Sequence, residues 1–268
     1  MKKDFNPENS IERLSGMQNK KTRPAVQQPH SSGSQKKLLH ASSSQTIEEY
    51  AKIDMHRRDR TSIPEVIYCE NKPLERIIAI AKLIYSKQKL VLGTRCPEEF
   101  FPKLKKTFPK GLFLQDARSF RIGDPLPPVK GRRIGIVSAG TTDITACEEA
   151  ALILESLGVE VQRVFDVGVA GIHRLFANDT TLRDCDVLIV AAGMEGALPS
   201  VIAGLYPQPI IALPTSVGYG TALSGFTPLF AMLTSCAPGV TVVNIDNGVG
   251  AAAAAFKIIS LVASTSAR

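Results

Sequence analysis

The residues of this chain that can carry chemistry sit in short, glycine-bearing stretches. Glu195 stands between Gly193 and Gly196, beside Met194 and just before Leu198-Pro199-Ser200. Glycines let a ligand approach the backbone closely. A carboxylate held there is a candidate general acid or base; the plain alternative is a solvated loop glutamate. Ser138, Ala139, Gly140, Thr141 and Asp143 form a second cluster. The hydroxyls of Ser138 and Thr141 suit a phosphate, and Asp143 suits the cap of the next helix. Simple capping by Thr142 or Asp143 explains the same pattern. A third stretch joins Asp166, Gly168 and Gly171 to His173-Arg174. Arg174 suits a phosphate or carboxylate, while a lone histidine is as readily structural. Cys236 lies in the turn Thr234-Ser235-Cys236-Ala237-Pro238-Gly239. A free cysteine is commonly a small buried apolar group, but in an exposed turn it can react as a thiolate. Ser216, within Pro214 to Gly220, and Asp246-Asn247-Gly248 complete the set.

Apolar runs place these residues at strand ends. Val187 to Val190 is short and rich in β-branched residues, as expected of a strand buried on both faces of a parallel sheet. Pro199 suits the first turn of the following helix. The same strand–turn–helix reading applies at Arg133 to Val137 with a helix over 144–157 capped by Gly158, and at Val159 to Phe165 with a short helix near Ile172. It applies again at Ile210 to Leu213 with a helix over 226–234, and at Val240 to Ile245 with a terminal Ala-rich helix. Such alternation predicts an α/β fold, a three-layer parallel sheet over 129–265. Ligands of open α/β sheets bind at the carboxyl edge, where these loops gather.

Upstream, residues 46–123 read as a small α/β module. The spacing predicts a charged helix over 46–60, a short strand ending at Tyr68, a helix over 73–87, a strand from Lys89 to Gly93, a helix or loop over 97–109 and a weak strand at 112–114. Asp124-Pro125-Leu126-Pro127-Pro128 is a stiff linker. Residues 1–45 are rich in Ser, Gln, Lys and Asn and predict a disordered leader. The leader is basic and serine-bearing, as organelle-targeting segments are, but Asp4, Glu8 and Glu12 weigh against that use.

Charge and cysteine usage exclude several classes. The 268 residues carry a formal net charge of +7, of which the leader holds +5. The folded part is therefore nearly balanced, which argues against nucleic acid as a partner. No window holds the ~20 apolar residues of a membrane span; the tail 249–263 comes nearest and is interrupted by Lys257. The five cysteines (69, 96, 147, 185, 236) are scattered without a Cys-x-x-Cys pair. That argues against a disulfide framework and against zinc or iron–sulfur sites, and it suits a reducing, cytoplasmic compartment.

Joined together, these motifs resemble a known family. Gly131 to Thr141, Asp166 to Arg174, Gly193 to Ser200, Pro214 to Gly220 and Val243 to Gly248 are similar to the LarB family of nickel-pincer cofactor biosynthesis. Arg57, Arg60, Pro64-Glu65-Val66-Ile67-Tyr68 and Lys72 resemble that family's N-terminal signature. The resemblance spans about 50–265. Its second half is similar to the carboxylase domain of purine biosynthesis, which implies a PurE/flavodoxin-like sheet and a homo-oligomer, the octamer being the form of such domains.

The resemblance also implies a reaction. Nicotinic acid adenine dinucleotide (NaAD) is carboxylated on its pyridinium ring by CO2 or bicarbonate, without biotin. Its phosphoanhydride is hydrolysed, with Mg2+ assisting, to give pyridinium-3,5-biscarboxylic acid mononucleotide and AMP. Cys236 matches the family's nucleophile. Glu195 is the candidate base. The 138–143 and 168–174 stretches, with Asp166, Gly193, Met194, Gly196, Ser216, Asp246, Asn247, Arg57, Arg60 and Lys72, are candidate substrate contacts. Asp143 and Asp246 are the candidates for Mg2+. Two other readings stand beside this one: an aminoimidazole ribonucleotide (AIR) carboxylase or mutase, and a non-catalytic nucleotide-binding protein on the same fold.

Overall fold

The computed structural model describes residues 44–47 and 51–265; the leader lies outside them apart from its last two residues. Five parallel strands form the central sheet: β7 (Arg133–Ser138), β8 (Glu160–Val164), β9 (Val187–Ala192), β10 (Ile210–Pro214) and β11 (Val240–Val242). Their spatial order is β11-β10-β9-β7-β8. In order of appearance along the chain this is the 2-1-3-4-5 arrangement of flavodoxin-like folds, with its reversal between β7 and β9.

β9 shows why the sheet forms. Val187, Ile189 and Ala191 enter one core, while Leu188, Val190 and Ala192 enter the other, as the two-residue side-chain period requires. The first core lies under α4 (Ile144–Ser156) and α9 (Gly248–Thr265). Small residues Ala146, Ala150, Ala151, Ala251, Ala252 and Ala255 fill that core between the two helices. The second lies under α5 (His173–Phe176), α6 (Asp179–Arg183), α7 (Leu198–Leu205) and α8 (Phe226–Leu233). Three layers result, as the alternation predicts.

Ahead of it stands a mixed four-stranded sheet ordered β3-β4-β6-β5, from β3 (Val66–Tyr68), β4 (Val91–Thr94), β5 (Leu112–Leu114) and β6 (Ser119–Ile122). α2 (Leu74–Gln88) and α3 (Phe101–Thr107) bury Ile77, Ile84 and Leu104 against its Phe120 and Val91. Leu90 and Leu92 point the other way, into the core under α4 and α9. β4 thus belongs to two cores at once. A polar tie reinforces this join: buried Glu149 of α4 accepts the Thr94 hydroxyl through one oxygen and the Val249 N–H, at 3.2 Å, through the other.

The sequence misleads at 46–60. In place of one charged helix there are β1 (Ser44–Ile47) and β2 (Ala51–Asp54), paired antiparallel, and a helix α1 of only Arg57–Thr61. Ile53 supplies the reason, since it is buried in the core of the module while its neighbours Lys52 and Asp54 are not. Alternation wins over the density of charge. The last strand is also shorter than expected, ending at Val242, and leaves 243–247 as a loop before α9.

Candidate active site

The loops after β7, β8 and β9 meet at the reversal between β7 and β9. They enclose a cleft of about 260 Å3 lined by Gly140, Thr142, Asp143, Gly168, Arg174, Met194 and Glu195, among others. Close backbone approach makes it possible. A Cβ at Gly193 would stand 2.4 Å from the carbonyl oxygen of Val217, and one at Gly168 2.7 Å from that of Ala139. Met194 and Asp166 adopt left-handed conformations, with φ of 47° and 57°. Such backbone costs of order 1–3 kcal/mol per residue and collects at functional sites.

Asp143 organises this rim. It is buried, its Oδ2 accepts the Gly140 N–H at 2.8 Å, and its Oδ1 accepts the Thr215 hydroxyl at 2.6 Å. Burial raises its pKa, and these hydrogen bonds oppose the rise. One carboxylate therefore ties the loop after β7 to the end of β10. Ser138 has a comparable use. It is buried, its Oγ accepts the Asp166 N–H at 3.0 Å and so holds the loop after β8, and it lines none of the clefts described here. Thr141 is exposed and lines no cleft, whereas its neighbour Thr142 lines two.

Arg174 is ion-paired with Asp166 at the edge of this cleft, and Gly171 lies against its guanidinium. His173 is exposed and outside the lining. Glu195 is exposed at the mouth of the cleft that it lines. Gly196 turns the chain with φ of 68° and packs on Pro228 of α8.

A second cleft of about 260 Å3 lies alongside and shares Thr142 and Val217 with the first. Its other lining includes Thr145, Ser216 and Asp246 from the parallel domain, and Arg95 and Arg118 from the mixed sheet. Arg95 donates from Nη2 to the Asp246 carbonyl at 2.6 Å. Arg95, Arg118 and Asp246 all have left-handed backbone, with φ of 49°, 47° and 54°. Glu149 reaches this cleft from below, and burial pushes its carboxyl up while the Thr94 hydroxyl pulls it down. Two guanidinium groups and four hydroxyls, those of Thr142, Thr145, Thr215 and Ser216, face the carboxyls of Glu149 and Asp246 here, and the arginines and hydroxyls suit the cleft to an anion.

Both arginines escape sequence reasoning. Each closes a short turn without a motif, 23 positions apart in the chain. The antiparallel pairing of β4 with β6 brings them together. Of the N-terminal signature, Arg57 lines a third cleft with Arg95 and Glu149. Arg60 pairs with Asp54, and Lys72 lies over the Tyr68 ring at 5.4 Å; neither lines these clefts. Asn247 caps α9, its Oδ1 accepting the Gly250 N–H at 2.8 Å.

For Mg2+, the donor set is sparse. Among the described residues no group of three or more His, Cys, Asp or Glu converges. Each oxygen of Asp143 already accepts one hydrogen bond. Asp246 spends Oδ1 on the Ser216 N–H at 2.8 Å and keeps Oδ2 for other use. Such a site does not fit a resident, protein-caged cation. Mg2+ held mainly by a ligand's phosphate oxygens, with Asp246 Oδ2 as a protein donor, would suit it better.

Four of the five cysteines are buried and Cys236 is exposed. Burial pushes the Cys147 thiol well up and that of Cys185 to about 11, so neither is a ready thiolate. Cys236 lines none of the three clefts described above. It follows α8, three residues before Gly239, whose carbonyl meets the N–H of Ile210 at the amino end of β10.

The flavodoxin-like sheet with its glycine-lined cleft lies within residues 133–267, which match the family model of AIR carboxylase. The model of the LarB/PurE-like N-terminal domain matches residues 45–124. The chain thus belongs to the LarB family, with a PurE-like second half. An uncharacterised protein of Methanocaldococcus jannaschii is 43% identical over 213 residues, which cover 76% of this chain and 82% of that protein. The N5-carboxyaminoimidazole ribonucleotide mutase of the same organism is 35% identical over 133 residues, 48% of this chain and 79% of that one. The mutase of Pyrococcus horikoshii is 31% identical over 136 residues, 48% and 72% of the two chains. No helix among the described residues is long and apolar enough to cross a membrane.

Proposed function

We propose that this protein carboxylates the pyridinium ring of NaAD and hydrolyses its phosphoanhydride, releasing pyridinium-3,5-biscarboxylic acid mononucleotide and AMP. The observation that carries the reading is the pair of adjoining clefts. One holds a carboxylate at a glycine-lined mouth; the other holds two arginines and hydroxyls supplied with the N-terminal module. A ring-bearing nucleotide joined through an anhydride to a second nucleotide needs two such places side by side. An AIR mutase acts on a single mononucleotide and gives the second cleft nothing to do.

The chemistry follows from the substrate. A pyridinium ring is electron-poor and does not attack CO2. A thiolate adding beside the ring nitrogen gives a dihydropyridine whose next carbon is enamine-like, and that carbon forms the new C–C bond to CO2. A base then takes the ring proton, the electron pair of that C–H bond restores the aromatic ring, and the thiolate leaves. Cys236 is the nucleophile in this reading and Glu195 the base. Thr142, Ser216, Arg95 and Arg118 hold the phosphates for attack by water. Mg2+ carried on the anhydride would neutralise its charge, with Asp246 beside it.

Purified protein incubated with NaAD, carbon-13 bicarbonate and Mg2+ tests this, with AIR as the parallel substrate. The expected result is a labelled dicarboxylated mononucleotide and AMP by mass spectrometry. Carboxylation of AIR with NaAD left intact would overturn the reading in favour of the purine activity.

A further inference from the structure

Two of the buried cysteines meet in the mixed sheet, directly behind the arginines of the second cleft. Cys69 follows β3, and Cys96 stands two residues after β4. The two strands are parallel with Tyr68 opposite Thr94, and the Cys69 N–H donates to the Thr94 carbonyl at 2.9 Å. Val91 and Leu92 enter opposite cores. Strict alternation along β4 would therefore put Cys96 on the Leu92 side, away from Cys69. It does not go there. Arg95, with φ of 49°, inverts the alternation, and Cys96 joins Cys69 in the core of the module. The same turn delivers the Arg95 side chain to the second cleft. Cys147 and Cys185 lie apart, one in each core of the parallel domain.

The pair is chemically asymmetric. Each thiol has a carbonyl to rest on, Cys69 donating to Ile67 at 3.4 Å and Cys96 to Pro97 at 3.6 Å. The two side chains are also in hydrogen-bond contact with each other. That contact, with Arg118 nearby, holds the Cys96 thiol below its ordinary value against its burial, and the same contact holds Cys69 above. Cys96 is thus the thiol that ionises, and Cys69 the one that keeps its proton. Cys96 is tied to both arginines as well. It is the next residue after Arg95, and its N–H donates to the Arg118 carbonyl at 2.7 Å.

We infer that Cys69 and Cys96 form a reversible, peroxide-sensitive disulfide that loosens the arginine grip of the second cleft. Both sulfurs are buried, so the oxidant is a small one, hydrogen peroxide. The Cys96 thiolate attacks one peroxide oxygen and the O–O bond breaks. A sulfenic acid forms, and the departing hydroxide takes up the proton that Cys96 lost. The Cys69 sulfur then attacks the sulfenic sulfur, its proton leaves with the hydroxyl as a second water, and the S–S bond closes. Two thiols and one peroxide give one disulfide and two waters; the sulfurs are oxidised and the peroxide reduced. A disulfide holds its sulfurs about 2 Å apart, closer than thiols in contact. Closing it draws Cys96 towards β3 and carries the Arg95 and Arg118 turns with it, at the expense of the 2.6 Å bond from Arg95 to the Asp246 carbonyl. In a reducing compartment the pair rests as thiols and closes only under oxidant. That the cleft grips a nucleotide rests on the function proposed above; the disulfide does not.

The test uses the full chain carrying Cys236→Ser, which takes the exposed thiol out of the reaction. The purified protein is treated with hydrogen peroxide, its remaining thiols are alkylated in denaturant, and its peptides are read by mass spectrometry. The expected product joins 69 to 96 within one chain and is reopened by dithiothreitol. AMP titrated by calorimetry should bind the oxidised chain about tenfold more weakly, the worth of one ionic hydrogen bond. Hydrogen exchange should rise on oxidation over residues 94–96 and 117–119. With Cys69→Ser added, peroxide should stop at a sulfenic acid on Cys96, trapped by dimedone. Full alkylation of Cys69 and Cys96 after peroxide would overturn the inference. So would a disulfide with unchanged exchange or, where AMP binds, with unchanged affinity. A reduced chain that does not bind AMP, while the disulfide forms and exchange rises, would sink the functional reading and leave the redox pair standing.

Discussion

The two sheets of this protein divide the labour differently. The parallel sheet sends the carboxyl ends of its strands to one edge, so its connecting loops converge by topology alone. The mixed sheet has no such edge. Its strands run both ways, and it contributes to the site only through the turns that carry Arg95 and Arg118. In the proposed reading the parallel sheet holds the groups that make bonds, and the mixed sheet supplies charge to grip what is bound. That contrast sets what mutations in each should do.

The largest effect is expected from Cys236→Ala, which should cut carboxylation by about a thousandfold or more if covalent addition is obligatory; steady-state rates of carbon-13 incorporation into the mononucleotide measure it. Glu195→Gln should lower kcat by about 10²–10³ with little change in KM, the ordinary worth of a positioned base. On the mixed-sheet side, Arg118→Ala should raise KM about tenfold and move kcat by less than about threefold, since an ionic hydrogen bond that is equal in ground and transition states is worth about 1.4 kcal/mol here. If the arginine variant instead loses kcat, the division of labour fails and the mixed sheet takes part in the chemistry. Thr94→Val probes the join. It leaves the buried Glu149 carboxylate short of a donor, and urea titration should show a loss of about 1–3 kcal/mol.

The smallest effect is a pH dependence at the same join. Burial holds the Glu149 carboxyl above its ordinary value in the folded chain. The folded state then binds that proton more tightly than the unfolded one, so ionisation costs stability. The cost is absent below the ordinary glutamate value and complete above the raised one. Urea titrations across weakly acidic to neutral pH should therefore show Glu149→Gln gaining on the wild type as pH rises. A gap that is constant with pH would mean that the hydrogen bonds to Glu149 cancel its burial.

What could be read from the sequence follows the same contrast. β7, β9 and β10 are apolar on both faces, so their runs are visible without knowing their partners. The glycines beside Glu195 mark a turn because they permit a 2.4 Å approach that no side chain allows. β6, with the sequence Ser-Phe-Arg-Ile, carries no strand signal of its own, because it is short and only its partners β4 and β5 make it a strand. Arg95 and Arg118 were invisible for the same reason. Ser138 and Asp143 carried the right residue types, but their polar atoms are spent on loops that only the fold brings near. Residue type tells which groups can do chemistry; the hydrogen-bond ledger of the folded chain tells which remain free for it.

The most direct test of the account is stoichiometric. NaAD, carbon-13 bicarbonate and Mg2+ are turned over by wild-type protein, and labelled carboxyl groups are counted against AMP released. One label in the mononucleotide per AMP is the expected ratio, because the two adjoining clefts act on the two halves of one substrate. AMP released without label would contradict it, showing an anhydride hydrolase in which Cys236 and Glu195 make no carbon–carbon bond.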